Sequence, residues 1–248
     1  MKIVTTSWDD GHIADFRLAE LLDKYNLQGT FYIPAANDEH EVMGEKSVVE
    51  LSNKFEIGGH TMHHTRINKV SDDLFQKEIK GCYTWLSDLL GEVPESFCFP
   101  GGVYNSAAID YTFKSGFKII RTTELLNPWC DTNSYVIPTT LQVYNHSAFT
   151  YYKHLLKRFK IRSLILFLKS SRSSELQKML EYYLNYILQN GGCLHLWGHS
   201  WEIEEYKLWP QLENLFSSIA NIVEIDYVSN KDLLQYKKND ILASTSEV

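Results

Sequence analysis

Paired cysteines and long hydrophobic runs are both absent from this sequence. The four cysteines, Cys82, Cys98, Cys130 and Cys193, lie far apart, and none belongs to a C-x-x-C pair. This spacing argues against a structural zinc site made of thiolates, and it predicts small buried thiols in a reducing compartment unless two of them pair by chance. The longest apolar run, residues 164–168, is far too short to span a membrane. No signal-type apolar segment precedes the first strand pattern, so we expect a cytoplasmic protein.

An excess of basic charge is also missing. The 248 residues include 24 Lys and Arg against 31 Asp and Glu, a net charge of -7, which argues against a general nucleic-acid binder. Residues 148–172 reverse this balance, with seven basic residues and no acidic one. The mixture of these charges with leucines and aromatic residues is typical of an amphipathic helix packed on the rest of the protein. The same pattern fits a helix at a membrane surface, or a lid over an anionic substrate.

Strand-like and helix-like patterns alternate along the chain. Short β-branched and aromatic runs, such as residues 2–8 and 29–33, are followed by amphipathic helical patterns, such as residues 13–25 and 71–90. This alternation predicts a parallel α/β fold, either an open sheet or a barrel. We expect one catalytic domain over residues 1–240, followed by a disordered tail.

The second half of the chain has a less regular pattern. After the strand that ends near Arg121 we expect an irregular stretch and then one helix near residues 149–168. A further helix over residues 174–189 precedes the strand CLHLWGHS. The last strand is predicted at residues 222–225. The tail, residues 241–248, carries no pattern of its own.

Two adjacent carboxylates, Asp9 and Asp10, follow the first predicted strand. Because neighbouring negative charges repel, such a pair needs a cation, a proton or full solvation. In parallel α/β folds the working residues lie at the carboxyl ends of the strands. The pair is therefore either a solvated turn before Gly11 or part of an active site.

Two histidines follow the strand pattern FEI. His60 and His64 are four residues apart, so one helical turn would direct both imidazoles to the same side, with their Cβ atoms about 6 Å apart. Two histidines and one carboxylate form a set of three ligands that leaves positions open for water and substrate, as catalytic zinc requires. Together with the aspartate pair at another strand end, this spacing predicts a metal site. His63, between them, is predicted to face elsewhere.

A third group of polar residues lies in the strand CLHLWGHS. His195 and His199 share one face of this strand because side chains alternate between its two faces. Only His199 reaches the carboxyl end, where the catalytic loops gather. We therefore predict His199 as a general acid and His195 as a hydrogen-bonded histidine of the core.

The order of the motifs indicates a family. They are SWDDG, HTMHH, FCFPGG and LWGHSWE, and they extend from Ser7 to Glu202. In kind and in order they resemble the motifs of the polysaccharide deacetylases, carbohydrate esterase family 4, with its NodB homology domain. The resemblance implies a distorted (β/α) barrel and a metal-dependent hydrolase. It also implies the removal of an acyl group, commonly acetate from the nitrogen of an amino sugar or oligosaccharide.

The resemblance assigns roles to five residues. Asp9 would be the general base, and His199 would protonate the departing amine. Asp10 would bind one divalent metal ion together with His60 and His64. Zinc suits this set best, with cobalt, nickel or manganese as alternatives for the same ligands.

Further roles are less closely tied to the motifs. A backbone N–H near Gly101 could complete an oxyanion site, and Trp201 could stack on a sugar ring. The family often has an arginine in its third motif that pairs with the catalytic aspartate, and here Cys98 stands in that place. Arg121, at a nearby strand end, either supplies this charge or is a surface residue.

The residue that orients His199 is not recognisable from the motifs. Glu202, Asp131 and Glu124 are the candidates. Two other functions stay open at this point. One is an amidohydrolase acting on a C–N bond outside sugars, since a fold does not fix its substrate. The other is a non-catalytic carbohydrate-binding protein that keeps the pocket.

Overall fold

A single sheet of parallel strands forms the centre of the protein. The computed structural model describes residues 1–129, 135–157, 160–170 and 175–236. Within these ranges the strands follow one another in the order β6-β5-β4-β3-β2-β1-β8-β7, and β9 pairs with β1 off this path. The strands are β1 (Lys2–Asp9), β2 (Thr30–Ile33), β3 (Glu56–Gly59), β4 (Ser96–Cys98), β5 (Ile119–Arg121), β6 (Val136–Ile137), β7 (Leu141–Gln142), β8 (Gly192–His199) and β9 (Asp226–Tyr227).

Helices connect these strands and cover the sheet. They are α1 (Asp15–Lys24), α2 (Glu45–Ser52), α3 (Asp72–Leu90), α4 (Ser106–Ser115), α5 (Ala148–Lys157), α6 (Ile161–Lys169), α7 (Leu176–Asn190), α8 (Ser200–Glu205) and α9 (Trp209–Ile219). The predicted boundaries of α3 are confirmed: the Ser71 side chain accepts a hydrogen bond from the backbone N–H of Leu74, and Gly91 ends the helix in the left-handed conformation. No helix within the described residues is long and apolar enough to cross a membrane.

The sheet curls into a distorted barrel. Its two end strands, β6 and β7, are separated by only three residues, 138–140, which bridge the two ends of the sheet. On one side the backbone N–H of Thr139 donates to the carbonyl of Glu124, and on the other the N–H of Thr140 donates to the carbonyl of His195. The predicted α/β fold, a distorted barrel that forms one domain, is therefore confirmed.

Polar side chains fill the barrel interior away from the carboxyl end of the sheet. Asn230, from the segment after β9, donates to the Tyr32 hydroxyl at 2.8 Å and accepts from the Thr5 hydroxyl at 3.0 Å. Its backbone N–H donates to Thr30 Oγ1, and that hydroxyl in turn donates to Glu56. Burial in this network raises the pKa of the Glu56 carboxyl. The end of the described chain is thus part of the barrel core.

Several predicted elements differ from the structure. The single helix expected near residues 149–168 is wrong, because the chain forms two shorter helices, α5 and α6, that pack on each other through Phe167. The last strand is not at residues 222–225 but at Asp226–Tyr227. The stretch expected to be irregular contains the two-residue strands β6 and β7. The predicted tail, residues 241–248, lies outside the described residues.

Candidate active site

The predicted site residues meet at the carboxyl ends of β1, β3 and β8. Asp9 and His199 are direct register partners across the parallel pair of β1 and β8. Asp10 follows β1, and His60 follows β3. Because parallel strands end at the same edge of a sheet, residues from distant parts of the sequence are brought together there.

Three of these side chains converge closely enough to hold one metal ion. Ligand atoms of Asp10, His60 and His64 lie within 4.8 Å of one another, and all three residues are buried. Asp10 Oδ1 lies 3.1 Å from His64 Nε2 and 3.4 Å from His60 Nε2. Ligands placed at about 2.0–2.2 Å around a tetrahedral zinc ion are separated by about 3.3–3.6 Å. The observed spacing therefore fits such an ion.

The polar atoms of this cluster also include unsatisfied acceptors that could bind a cation. Asp10 Oδ1 is buried and makes no hydrogen bond among the described residues. His60 Nδ1 donates to the backbone carbonyl of Cys98 at 2.8 Å, so Nε2, which lies 3.4 Å from Asp10 Oδ1, is the ring atom that could bind a metal ion. A buried carboxylate oxygen without a donor and imidazoles with a free lone pair are what a divalent metal ion would satisfy.

The backbone that places His64 beside His60 is not a helical turn. Residues 60–65 lie outside any helix, and both Thr61 and His64 have positive φ values, 62° and 52°. The helical-turn prediction was therefore wrong in its conformation, although the two rings do come together, with centroids 5.1 Å apart. Thr61 holds the turn closed, because its hydroxyl accepts a hydrogen bond from the backbone N–H of Thr65.

The second oxygen of Asp10 is held by Trp201. The indole Nε1–H donates to Asp10 Oδ2 at 2.8 Å, and His199 Nε2 lies 3.9 Å from the same oxygen. Burial opposes ionisation of Asp10, but contacts with His60 and His64 and the positive charge of His199 outweigh it and keep the pKa of Asp10 well below its usual range. Asp10 also adopts a positive φ of 79°, a strained conformation for a residue with a side chain.

One face of the Trp201 ring is already covered. His40 stacks on it with centroids 3.8 Å apart and an angle of 19° between the ring planes. A sugar ring would have to displace His40 in order to stack on that face. In the sequence His40 has the character of an ordinary surface histidine, and no spacing links it to a residue 161 positions later.

Asp9 is paired with a fully buried arginine. Arg121 Nη2 donates to Asp9 Oδ1, and both side chains are almost completely excluded from solvent. The guanidinium lies between the rings of Tyr32 and Trp197, at 5.1 Å and 4.9 Å from their centroids. The Cys98 thiol lies 3.9 Å from the other oxygen of Asp9. Arg121 thus supplies a positive charge next to Asp9, while Cys98 occupies the position where the family often has arginine.

His199 is held by Glu202 from the next turn of the chain. His199 Nδ1 donates to Glu202 Oε2 at 2.6 Å, and Gln142 Nε2 donates to the same oxygen at 3.3 Å. Burial alone would favour the neutral imidazole. The hydrogen bond from His199 to Glu202 and the charges of Asp10 and Asp9 outweigh burial and raise the pKa of His199 to about 9. The histidine is therefore protonated at neutral pH in the metal-free protein.

Of the three carboxylates predicted as candidates for orienting His199, one lies next to it. Glu202 contacts it directly. Glu124 is engaged elsewhere, with Asn127 at 2.7 Å and Lys160 at 2.9 Å. Asp131 lies outside the described residues. The spacing of three between His199 and Glu202, at the start of α8, was the signal in the sequence that pointed to this pair.

The remaining histidines of the motifs point away from the cluster. His195 lies in the barrel interior, where it contacts the Ser7 hydroxyl at 2.8 Å and the Pro138 carbonyl at 3.1 Å. Burial and the charge of Arg121 lower the pKa of His195 to about 3, so it is neutral, as a core histidine should be. His63 binds Glu78 through its ring at 2.8 Å, and its side chain is 62% exposed.

Gly101 forms a tight turn beside the site. The residues Pro100–Gly102 make one short helical turn in which Gly101 and Gly102 have positive φ values, 63° and 65°. The backbone N–H of Gly102 is used within this turn, since it donates to the Phe99 carbonyl. A side chain on Gly101 would press against the guanidinium of Arg66, 3.0 Å away from the Cβ position. An oxyanion role for the Gly101 N–H stays a prediction.

Residues that the motifs did not reveal lie behind the cluster of Asp10, His60 and His64. Glu39 Oε2 lies 3.5 Å from His64 Nδ1 and accepts a hydrogen bond from Arg66 at 2.8 Å. Asp15, at the start of α1, is completely buried. Burial first, and then the charges of Asp10 and Asp9, raise the pKa of Asp15 well above its usual range. The same burial and charges therefore oppose a further negative charge on Asp15 behind the site.

Comparison with known proteins finds similarity to the same family as the motifs. Residues 1–120 match the family described as polysaccharide deacetylase. A protein of Bacillus subtilis, described as the putative polysaccharide deacetylase YxkH, is 22% identical over 126 residues, which are 50% of this chain and 45% of that protein. The matched part is thus less than half of the length of this relative. The resemblance drawn from the motifs is confirmed.

Solved structures with a similar fold extend the likeness over nearly the whole chain. A putative polysaccharide deacetylase from Mycobacterium smegmatis has a TM-score of 0.67 at 12% identity, over 96% of this chain and 91% of that one. A family 4 acetyl xylan esterase from Clostridium thermocellum, in complex with a cobalt ion, has a TM-score of 0.53 at 16% identity, over 95% of this chain and 91% of that one. At these identities the likeness establishes the fold.

Proposed function

We propose that this chain is a metal-dependent hydrolase. Residues 1–120 match the polysaccharide deacetylase family, and the fold is that of its solved members. The reaction would remove the acetyl group from the nitrogen of an amino sugar in a polysaccharide or glycan precursor. The observation that carries this proposal is the position of Asp9 and His199 on adjacent strand ends beside the cluster of Asp10, His60 and His64. A general base and a general acid flanking a metal site are the groups that amide hydrolysis requires.

The metal ion would be held by Asp10, His60 and His64. When bound, a divalent ion lowers the pKa of water and polarises a carbonyl oxygen. Zinc suits two imidazoles and one carboxylate, and cobalt, nickel or manganese could occupy the same ligands. The Clostridium thermocellum esterase, which has a similar fold, was solved in complex with a cobalt ion, and this supports a metal-dependent activity here.

Asp9 would take the proton from the attacking water. The carboxylate lies at the end of β1, one residue before Asp10, and is the register partner of His199 on β8. Arg121 places a positive charge against one oxygen of the buried Asp9 carboxylate and holds that carboxylate in orientation. The other oxygen, which among the described residues has only the weak donor Cys98 Sγ at 3.9 Å, would accept the proton of the water.

His199 would give a proton to the departing nitrogen. An amine leaves an amide only when it is protonated, so the acid must carry its proton at the working pH. In the metal-free protein the pKa of His199 is raised to about 9, and the hydrogen bond to Glu202, which is not one of the proposed metal ligands, contributes to this rise. Glu202 fixes the Nδ1 proton, which directs Nε2 towards Asp10 and the reacting centre.

Release of acetate tests the proposed function. We expect the zinc- or cobalt-loaded protein to release acetate from N-acetylglucosamine oligosaccharides, and Asp9→Asn to lower kcat by about 10²–10⁴-fold, the usual contribution of a general base. Metal content measured on both proteins should be equal, because Asp9 is not a ligand. Acetate release from an N-acetylated amine that is not a sugar, with none from the oligosaccharides, would favour the amidohydrolase instead. Metal-loaded protein that releases no acetate from any substrate would contradict the proposal.

The role of Glu202 predicts a change in pH dependence. As an acid, His199 works in its protonated form, so activity falls as the pH rises through its pKa. Glu202→Gln removes the charge that helps to raise this pKa, and the alkaline limb of kcat/KM should therefore move about 1 pH unit or more to lower pH. Glu205→Gln, on the exposed side of the same helix α8, is the matched control and should leave the profile in place. An unchanged profile in Glu202→Gln would show that Glu202 does not act through His199.

A further inference from the structure

The helices α5 and α6 expose a concentration of large apolar side chains. Thirteen large hydrophobic residues are exposed within the described part of the chain, and five of them lie on this pair of helices. They are Phe149 at 74%, Leu156 at 61%, Ile161 at 68%, Ile165 at 50% and Leu168 at 38%. We call these five residues the apolar face. Isolated exposed hydrophobics are common on soluble proteins, but a local cluster of five indicates a contact surface.

The apolar face follows helical spacing, so it is a regular face of each helix and not a frayed end. Ile161, Ile165 and Leu168 recur at intervals of four and three residues on α6, while Leu166 and Phe167 are buried on the opposite side. On α5, Phe149 and Leu156 are seven residues apart and lie opposite the buried Tyr151 and Leu155. Each helix thus packs one apolar stripe into the protein and turns a second one to solvent.

Basic residues are concentrated in the segment of the sequence that carries the apolar face. Residues 148–172 hold seven of the 24 Lys and Arg and none of the 31 Asp and Glu, so the rest of the chain has 17 basic residues against those 31 acidic ones. Lys153 and Lys169 are exposed on α5 and α6. Lys160 binds Glu124 and Arg162 lies over the ring of Trp129, so these two remain close to the protein surface. The strongly cationic segment of the sequence therefore coincides with the main exposed apolar cluster of the described residues.

We infer that α5 and α6 dock on an anionic lipid bilayer. A bilayer surface offers both partners that the pair of helices needs: acyl chains for the apolar face and negatively charged head groups for the lysines and arginines. A second copy of this chain would place two cationic segments without acidic residues against each other. A soluble anionic ligand would leave the exposed isoleucines and leucines uncovered. Charge complementarity together with the exposed apolar side chains therefore favours an anionic bilayer over a second copy or a soluble anion.

Side-chain contacts connect α5 with Glu202, the partner of His199. The segment that leads into α5 begins at Gln142, which donates to Glu202, the partner of His199. His146 in this segment donates to Gln142 at 2.8 Å, and its ring packs against Tyr151 of α5. A bilayer bound at the apolar face would thus lie across α5 from the segment that contacts Glu202. This part of the inference rests on the proposed function: the substrate would be an acetylated amino sugar presented at an anionic membrane.

Vesicle sedimentation tests the docking without any need for catalysis. The full-length protein should sediment with vesicles of phosphatidylcholine containing about 30% phosphatidylglycerol, and not with phosphatidylcholine alone, and about 0.5 M salt should release it. The triple variant Phe149→Ser, Ile161→Ser and Ile165→Ser should bind at least about 10-fold more weakly, because the apolar contribution is lost at exposed positions. Lys153→Glu with Lys169→Glu should have a similar effect.

Matched controls keep the test decisive. Val223→Ser, at a residue that is 99% exposed on another part of the surface, and Lys46→Glu on α2 should bind the vesicles like the wild type. The inference would be overturned if the wild-type protein did not sediment with anionic vesicles, or if the triple variant bound them as strongly as the wild type. A wild-type dimer in light scattering that the triple variant converts to a monomer would also overturn it, because the apolar face would then belong to a second copy.

The same proteins separate this inference from the proposed function. Acetate release from a short soluble oligosaccharide should be equal in the wild type and in the triple variant, since the apolar face does not touch the site residues. If no protein releases acetate while the vesicle results hold, the proposed function fails and the bilayer contact stands. If acetate release is normal and no vesicle binding is found, the bilayer contact fails and the proposed function stands.

Discussion

Protein in which His60 and His64 are both changed to alanine should lose its metal and its activity together. We expect metal content to fall from about one equivalent to less than about a tenth of it, because a single carboxylate cannot hold a borderline metal ion in water. Acetate release should fall at least about 10³-fold, since the ion's stabilisation of transition-state charge is several kcal/mol. Elemental analysis and an acetate assay on the same preparations measure both quantities.

His63→Ala is the matched control for the double variant. It removes a histidine from the same turn, but one whose ring faces Glu78 and is largely exposed. Its metal content and activity should stay close to those of the wild type. Added zinc should also raise the melting temperature of the wild type and of His63→Ala, but not that of the double variant, because only a folded site gains from the ligand. Full metal retention by the double variant would disprove the assignment of the ligands.

Replacing Arg121 with methionine should destabilise the protein strongly. The change leaves the Asp9 carboxylate buried without a cation, and breaking a buried ion pair on one side costs about 3–5 kcal/mol. Activity should fall as well, because the Asp9 carboxylate loses the contact that holds it in orientation. Urea titration of the variant and the wild type gives the change in the free energy of unfolding.

Two further variants show whether the pair itself is responsible. Adding Asp9→Asn to Arg121→Met removes the uncompensated charge, so the double variant should regain much of the lost stability but none of the activity. Arg17→Met breaks an exposed arginine–carboxylate contact, with Glu204 at 3.4 Å, and should cost about 1 kcal/mol or less. If Arg121→Met were as stable as Arg17→Met, the buried pair would contribute nothing to holding Asp9.

The site residues that lie at the carboxyl ends of strands could be predicted from the sequence. Asp10, His60 and His199 each come directly at or after a strand of the parallel sheet, and such positions share one edge in any fold of this class. The family motifs fell at these same positions. Their convergence therefore followed from the alternation of strands and helices, although the turn that carries His64 was predicted with the wrong conformation.

Contacts between side chains from separate loops could not be predicted in this way. Arg121 was one of two alternatives until the barrel placed it against Asp9, and the stacking of His40 on Trp201 depends on where two loops meet. The two-residue strands β6 and β7 are too short to show an alternating pattern. Local patterns report on local structure, and these features are made by contacts that are distant in the sequence.

The pairing of β1 with β8 also determines when the site can form. The strands match over eight register pairs, from Lys2 with Gly192 to Asp9 with His199, and Trp201 reaches Asp10 across 191 positions of the sequence. Closing so long a loop is slow, because its entropy is lost before the contacts are gained. A nascent chain therefore carries Asp9, Asp10, His60 and His64 long before their neighbour strand is synthesised. We expect the site to be completed late in folding, so that a refolding protein regains compactness and helix content before it regains catalysis.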